Sequence, residues 1–187
     1  MDNSFTTMLK QLENRYSKGY NPITLSWSPH QSVEGGTPTL GYGHKMTEKE
    51  LKSKTVQIEG KKFPLNKITT KDAEEIFKLD WQRSNKDAEK WIGKEWKNLD
   101  AAKQAVTAEL FFNMGYTKAS AFKNYKEKLL ANDPSFIDEI NRKGVGSRVN
   151  AIKDWYSNYQ TKAFNDSQAI DDDQVNKIHQ DIMSVFE

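Results

Sequence analysis

Hydrophobic positions along the chain change period twice. Phe5, Met8, Leu9 and Leu12 recur at three- and four-residue spacing, which predicts a first helix over residues 3–13. Asn3 or Ser4 serves as its cap, and Glu13 falls at its end. Residues 14–44 lose that period. Gly19, Pro22, Pro29, Gly35, Gly36, Pro38, Gly41 and Gly43 interrupt any helix, while Thr24, Leu25, Trp27, Thr39, Leu40 and Tyr42 favour strands. A small irregular β region is expected, with a further hairpin joining Val56–Ile58 to Phe63–Leu65.

From Thr69 the helical period returns. Ala73, Ile76, Phe77, Trp81, Ala88, Trp91 and Ile92 track one face, and Thr69 with Asp72 makes a capping-box pattern. Asp80 falls on the same inward face, where a carboxylate needs a partner. A second helix from about Leu99 to Met114 is apolar nearly all round, which predicts burial, and Gly115 stops it. Shorter helices are expected over 119–131, 134–142, 147–158 and 171–185, the last with a stripe of Val175, Ile178, Ile182 and Val185. The order predicts an α+β chain forming a single domain over 1–187. A small N-terminal β lobe (14–68) is joined by a long helix (69–92) to a larger all-helical lobe (93–187). A cleft at the lobe junction is the expected ligand site.

Composition narrows the chemistry. The 187 residues contain no cysteine, which excludes disulfides, thiolate catalysis and Cys-based metal sites. Three histidines argue against a multi-His metal centre, so no metal and no cofactor is expected. A net charge of +2 is too balanced to point to nucleic acid, yet permits attraction to an anionic polymer such as a cell wall. No apolar run approaches the roughly 18 residues of a membrane span. Residues 1–10 show no basic start followed by an apolar run, so no signal peptide is expected.

Two pairs of segments carry a family resemblance. Met8-Leu9-Lys10-Gln11-Leu12-Glu13 is followed by Thr39-Leu40-Gly41-Tyr42-Gly43-His44. Trp96-Lys97-Asn98-Leu99-Asp100-Ala101-Ala102 leads to Phe111-Phe112-Asn113-Met114-Gly115. Together they resemble the phage-type lysozymes, muramidases typified by T-even phage endolysins. Ile68 to Trp81 is similar to the family's inter-lobe helix, and Gly144-Val145-Gly146-Ser147-Arg148 resembles a degenerate form of its late Gly-Leu-x-x-Arg motif. The resemblance spans roughly residues 5 to 160. It implies a lysozyme-like fold and cleavage of the β-1,4 bond between N-acetylmuramic acid and N-acetylglucosamine in bacterial peptidoglycan.

The resemblance also assigns roles. The family pattern is Glu, then Asp, then Thr six residues after the Asp. Glu13 matches the proton donor, and its place at a helix end beside an apolar face suits a partly desolvated acid. Thr39 matches the threonine and is expected to hold the attacking water. Six residues before Thr39 stands Val33, not Asp; Glu34 is the sole carboxylate between Glu13 and Thr39, and by elimination is the expected second catalytic group. His30, in the same loop, is a supporting base or hydrogen-bond donor, or a plain loop residue. Arg148 is the expected cation beside Glu13, and Phe112 and Asn113 the expected substrate contacts, with core packing and helix capping as their other roles. The family order also brings the Gly-Tyr-Gly-His turn beside the long helix, making His44 the expected partner of Asp80.

The implied setting is a monomer acting on peptidoglycan. It is either an endolysin held in host cytoplasm until a holin-type partner permeabilises the membrane, or a lysozyme carried among virion proteins. A catalytically inactive module that binds cell wall or serves a structural role is the alternative, and a glycosidase acting on chitin-like polymers a third reading.

Overall fold

A computed structural model describes residues 3–31, 36–141 and 146–183, with side chains described to Asp166 apart from Asn3 and Phe164. Two compact units emerge, Met1–Ile140 and Asn141–Glu187.

In the first unit, α1 runs Asn3–Asn14 with Phe5 and Leu9 buried. Three short antiparallel strands follow the chain order β1 (Tyr20–Asn21), β2 (Ser26–Trp27) and, much later, β7 (Ile68–Thr69); Trp27 pairs with both Tyr20 and Ile68. Between them, β3 (Thr39–Leu40) and β4 (His44–Lys45) form a hairpin, as do β5 (Thr55–Ile58) and β6 (Lys61–Pro64) around Glu59-Gly60. Thr24, Leu25 and Tyr42, expected in strands, lie in turns instead.

One short helix, α2 (Glu48–Ser53), has no counterpart in the hydrophobic pattern. Its start is a reciprocal cap: Glu50 N–H donates to Thr47 Oγ1, while Thr47 N–H donates to the Glu50 carboxylate at 2.8 Å. Such caps contribute about 1 kcal/mol.

The long helix α3 spans Thr70–Ile92, opened by the Thr69/Asp72 capping box. It buries Ala73, Ile76, Leu79, Trp81 and Ala88. Its first half closes a core with Trp27, Leu40, Met46, Val56 and Ile68 from the β region. A 3-10 segment, Gly93–Asn98, leads into α4 (Ala101–Met114), in which Ala102, Val106, Ala108, Leu110 and Phe111 are buried. The expected 119–131 helix is α6 (Lys123–Leu130), preceded by the short α5 (Tyr116–Ala119), and 134–140, also expected to be helical, is a 3-10 segment. Tyr125 is fully buried, and its hydroxyl lies 3.0 Å from Thr107 Oγ1 on α4.

In the second unit, one helix α7 (Gly146–Met183) replaces the two expected over 147–158 and 171–185. No glycine or proline occurs from Ser147 to Met183, so nothing removes a backbone donor or frees the chain from helical geometry.

Seven rings join these elements. Tyr20, Trp27, Tyr42, Phe77, Phe112, Trp81 and Phe5 stack in succession, with centroids 5.1, 5.3, 6.1, 5.6, 6.1 and 5.6 Å apart. The chain of contacts runs from the β region through α3 and α4 to α1. Among the described residues no helix is long and apolar enough to cross a membrane.

Candidate active site

Glu13 sits in the last turn of α1, half-buried, and its carboxyl group lies directly against the β3–β4 turn. A Cβ on Gly43 would fall 2.5 Å from Glu13 Oε2 and 2.9 Å from its Cδ. Gly43 also adopts φ +93, a conformation that side-chain-bearing residues rarely take. The next residue, Asn14, fastens the helix to the same turn: its amide donates to the Gly41 carbonyl at 2.9 Å and to the Lys18 carbonyl at 3.0 Å. The end of α1 and the Gly-Tyr-Gly turn are therefore locked together, and the carboxyl group of Glu13 is placed by contact with bare backbone. Gly43→Ala should push this carboxyl group aside and lower the lysis rate by at least about tenfold, since displacements near 1 Å suffice for such losses. Rates compared at matched fractional folding check it.

Thr39 is buried in β3 and pairs with Lys45 across the hairpin. It also forms an isolated bridge with His30, and its Oγ1 lies 3.1 Å from His30 Nε2. Strand alternation puts Thr39 and Lys45 on one face, Leu40 and His44 on the other. On the first face, Lys45 Nζ donates to the Asn113 carbonyl at the end of α4, 3.0 Å away. Beside that contact lies a cavity of about 180 Å³ lined by residues including Gly43, Lys45, Asp80, Phe112 and Asn113. Phe112 serves two ends: its ring packs on Phe77 and Trp81 and also lines this cavity.

The second face is held by charge. His44 Nδ1 lies 2.7 Å from Asp80 Oδ2 on α3, as the inward position of Asp80 led us to expect. Arg83 donates to the other Asp80 oxygen at 2.6 Å, and His44 Nε2 lies 3.4 Å from Glu50 Oε1. Burial disfavours the charged ring of His44. The hydrogen bond and charge of Asp80, followed by those of Glu50, outweigh it and raise the His44 pKa above 6.5. Glu50 is itself buried, but bonds from Thr47 and Gln57 and the nearby His44 hold its carboxylate below the ordinary range. This network anchors β4, and through it the hairpin that carries Thr39 and Gly43.

A larger groove of about 620 Å³ lies alongside α2 and the β5–β6 hairpin, lined by polar and charged residues such as Lys49, Gln57 and Lys62. Neither Glu13 nor Thr39 lines it. Among the described residues no cluster of three or more His, Asp or Glu is placed to hold a metal ion.

Of the residues singled out in the sequence, Glu13 is thus brought to the turn beyond Thr39, and His30 to Thr39 itself. Glu34 lies outside the described residues. Arg148 stands half-buried in the first turn of α7, in the second unit. The network of His44, Asp80, Glu50 and Arg83 extends the site beyond the pair foreseen; the Thr47/Glu50 capping spacing and Arg83 three residues after Asp80 were its signals.

No curated protein matches this sequence. The family model for phage lysozyme matches residues 24–164. That stretch contains the Thr39 hairpin, the long helix and the Phe112-Asn113 end of α4, and the structure seats Glu13, from outside it, against the matched Gly43. A match over most of the chain, on a fold that assembles these same elements, means that the chain belongs to the phage lysozyme family, whose members hydrolyse peptidoglycan.

Proposed function

We propose that the chain is an N-acetylmuramidase that cleaves the β-1,4 bond between N-acetylmuramic acid and N-acetylglucosamine. The observation that carries this reading is the seating of the Glu13 carboxyl group against Gly43, on the turn that follows Thr39. Glycoside hydrolysis needs a carboxylic acid to protonate the leaving oxygen and a second polar group to direct water or attack the sugar. Glu13 takes the first role. Thr39 holds the water, and Glu34, the sole acid in the intervening loop, supplies the second carboxylate. Arg148 is assigned to orient Glu13 on its sequence motif alone, and Phe112 with Asn113 borders the sugar.

Digestion of purified peptidoglycan followed by borohydride reduction tests the bond. Muramidase action leaves reducing N-acetylmuramic acid, recovered as muramitol. Recovery of glucosaminitol instead rejects this reading for a glucosaminidase. The phage setting is either an endolysin released by a membrane-permeabilising partner or a virion lysozyme. Lysis from within that depends on a co-expressed holin supports the first.

A further inference from the structure

We propose that His30 is a positioning residue for the hydrolytic water, acting by fixing the direction in which the Thr39 hydroxyl points. The proposal rests on the reading that Thr39 holds that water.

The backbone sets the pair. His30 N–H donates to the Thr39 carbonyl and Thr39 N–H to the His30 carbonyl, each at 2.8 Å. Two residues that exchange both bonds in an antiparallel bridge carry their side chains on the same face. The 3.1 Å approach of Nε2 to Oγ1 follows from that register. The far edge of the ring is seated just as closely. A Cβ on Gly19 would fall 2.8 Å from His30 Nδ1 and 2.3 Å from the Ser28 carbonyl oxygen, and Gly19 holds φ +82. Glycine at this position leaves the space the imidazole occupies.

The surroundings also select a protonation state. Burial lowers the His30 pKa below 6.5; the Ser28 backbone opposes this and the charge of Lys18 adds to it. Among the described residues, Lys18 is the charged group bearing on the ring. Glu34, outside them, lies four positions along the same loop. Near neutral pH the ring is therefore uncharged, with one nitrogen a donor and the other an acceptor. Nδ1 makes no hydrogen bond among the described residues, and the nearby Ser28 carbonyl can only accept; we assign the ring proton to Nδ1, the edge that faces this acceptor. Nε2 is left with its lone pair, and the Thr39 hydroxyl donates to it.

The polarity of the water follows. With its hydrogen committed to His30, Thr39 Oγ1 offers lone pairs alone. A water beside it must donate, which leaves that water's own lone pair free for the anomeric carbon. Protonation of His30 reverses the arrangement: Nε2–H donates to Oγ1, the hydroxyl hydrogen turns outward, and a water that accepts it has one lone pair engaged and is turned from the orientation for attack. No proton leaves His30 during turnover.

The test is the pH dependence of kcat and KM on purified peptidoglycan for wild type, His30→Gln, His30→Ala, Thr39→Ala, Glu34→Gln and the His30→Ala/Thr39→Ala double variant, at matched folding. Gln offers an acceptor near the position of Nε2 without titrating. We expect His30→Ala to lower kcat about tenfold with KM nearly unchanged. His30→Gln should restore most of kcat at neutral pH and lack an acid-side inflection that Glu34→Gln retains. In the Thr39→Ala background, His30→Ala should cost nothing further. Wild-type kcat in His30→Ala overturns the proposal. So do indistinguishable His30→Ala and His30→Gln profiles, or an undiminished His30→Ala loss without the Thr39 hydroxyl. If His30→Ala does not fold, the His30→Gln profile decides. If Thr39→Ala alone turns over at the wild-type rate, the underlying reading of Thr39 fails and the proposal with it. A slow Thr39→Ala beside an unaffected His30→Ala sinks this proposal alone.

Discussion

Glu13→Gln should lower wall hydrolysis by ~10²–10⁴-fold, the range for losing a general acid, while leaving the fold in place. Gln preserves the size of the group that Gly43 accommodates, so the contact at the turn survives and the dissociable proton does not. The measurement is the fall in turbidity of purified peptidoglycan, with melting temperature as the control for folding. Glu34→Gln, assayed beside it, should also be slow, whereas Glu34→Asp should recover part of the rate. A Glu13→Gln variant that clears walls at the wild-type rate would remove Glu13 from catalysis. If wild type itself binds walls without clearing them, the chain is the inactive wall-binding module that the missing Asp also allows.

Asp80→Asn carries the largest expected cost in stability. The side chains of His44 and Asp80 are each only 6% exposed, so their pairing is little screened by solvent. Removing one partner of a buried pair costs roughly 3–5 kcal/mol. The lower end applies here, because His44 can release its proton where a buried lysine or arginine would hold its charge. For a chain of this size that corresponds to a fall of about 6–12 °C in melting temperature. The sign with pH is fixed by His44. Its folded pKa lies above 6.5, so the stabilisation is complete below 6.5 and is lost as pH rises through the higher folded value. The difference between wild type and Asp80→Asn should narrow across that interval. An NMR titration should place His44 above 6.5 in wild type. A ring titrating at or below that value, or an unchanged melting temperature in Asp80→Asn, contradicts the account.

Much of this was legible in the sequence where a periodic face was long enough to read. Ala73, Ile76, Trp81 and Ala88 mark about four turns of α3, and a carboxylate on that stripe had to be paired. Strands of two residues offer no period, so Thr24 and Leu25 read as β while the chain turns there. The six-residue α2 carries no apolar stripe and was not foreseen; the Thr47/Glu50 capping spacing was the one signal for it. The stripe of Val175 to Val185 suggested a separate last helix, but helix continuity depends on the absence of a breaker, and none lies between. At the site, Glu13 and Thr39 were visible as motif positions. The His30–Thr39 pairing was not, because a bridge across nine residues depends on loop register, which composition does not encode.

The succession of seven rings bears on how the first unit opens. Each ring is packed by neighbours from other elements, so a local fluctuation at Trp27 strips contacts from Tyr42, and through Phe77 reaches Phe112 and Phe5. Elements linked in this way exchange their amide hydrogens through a shared opening event rather than one by one. The protected amides of β2, α3 and α4 are accordingly expected to form a single cooperative exchange unit. The Ile23-Thr24-Leu25 turn, exposed and outside the stack, should exchange freely.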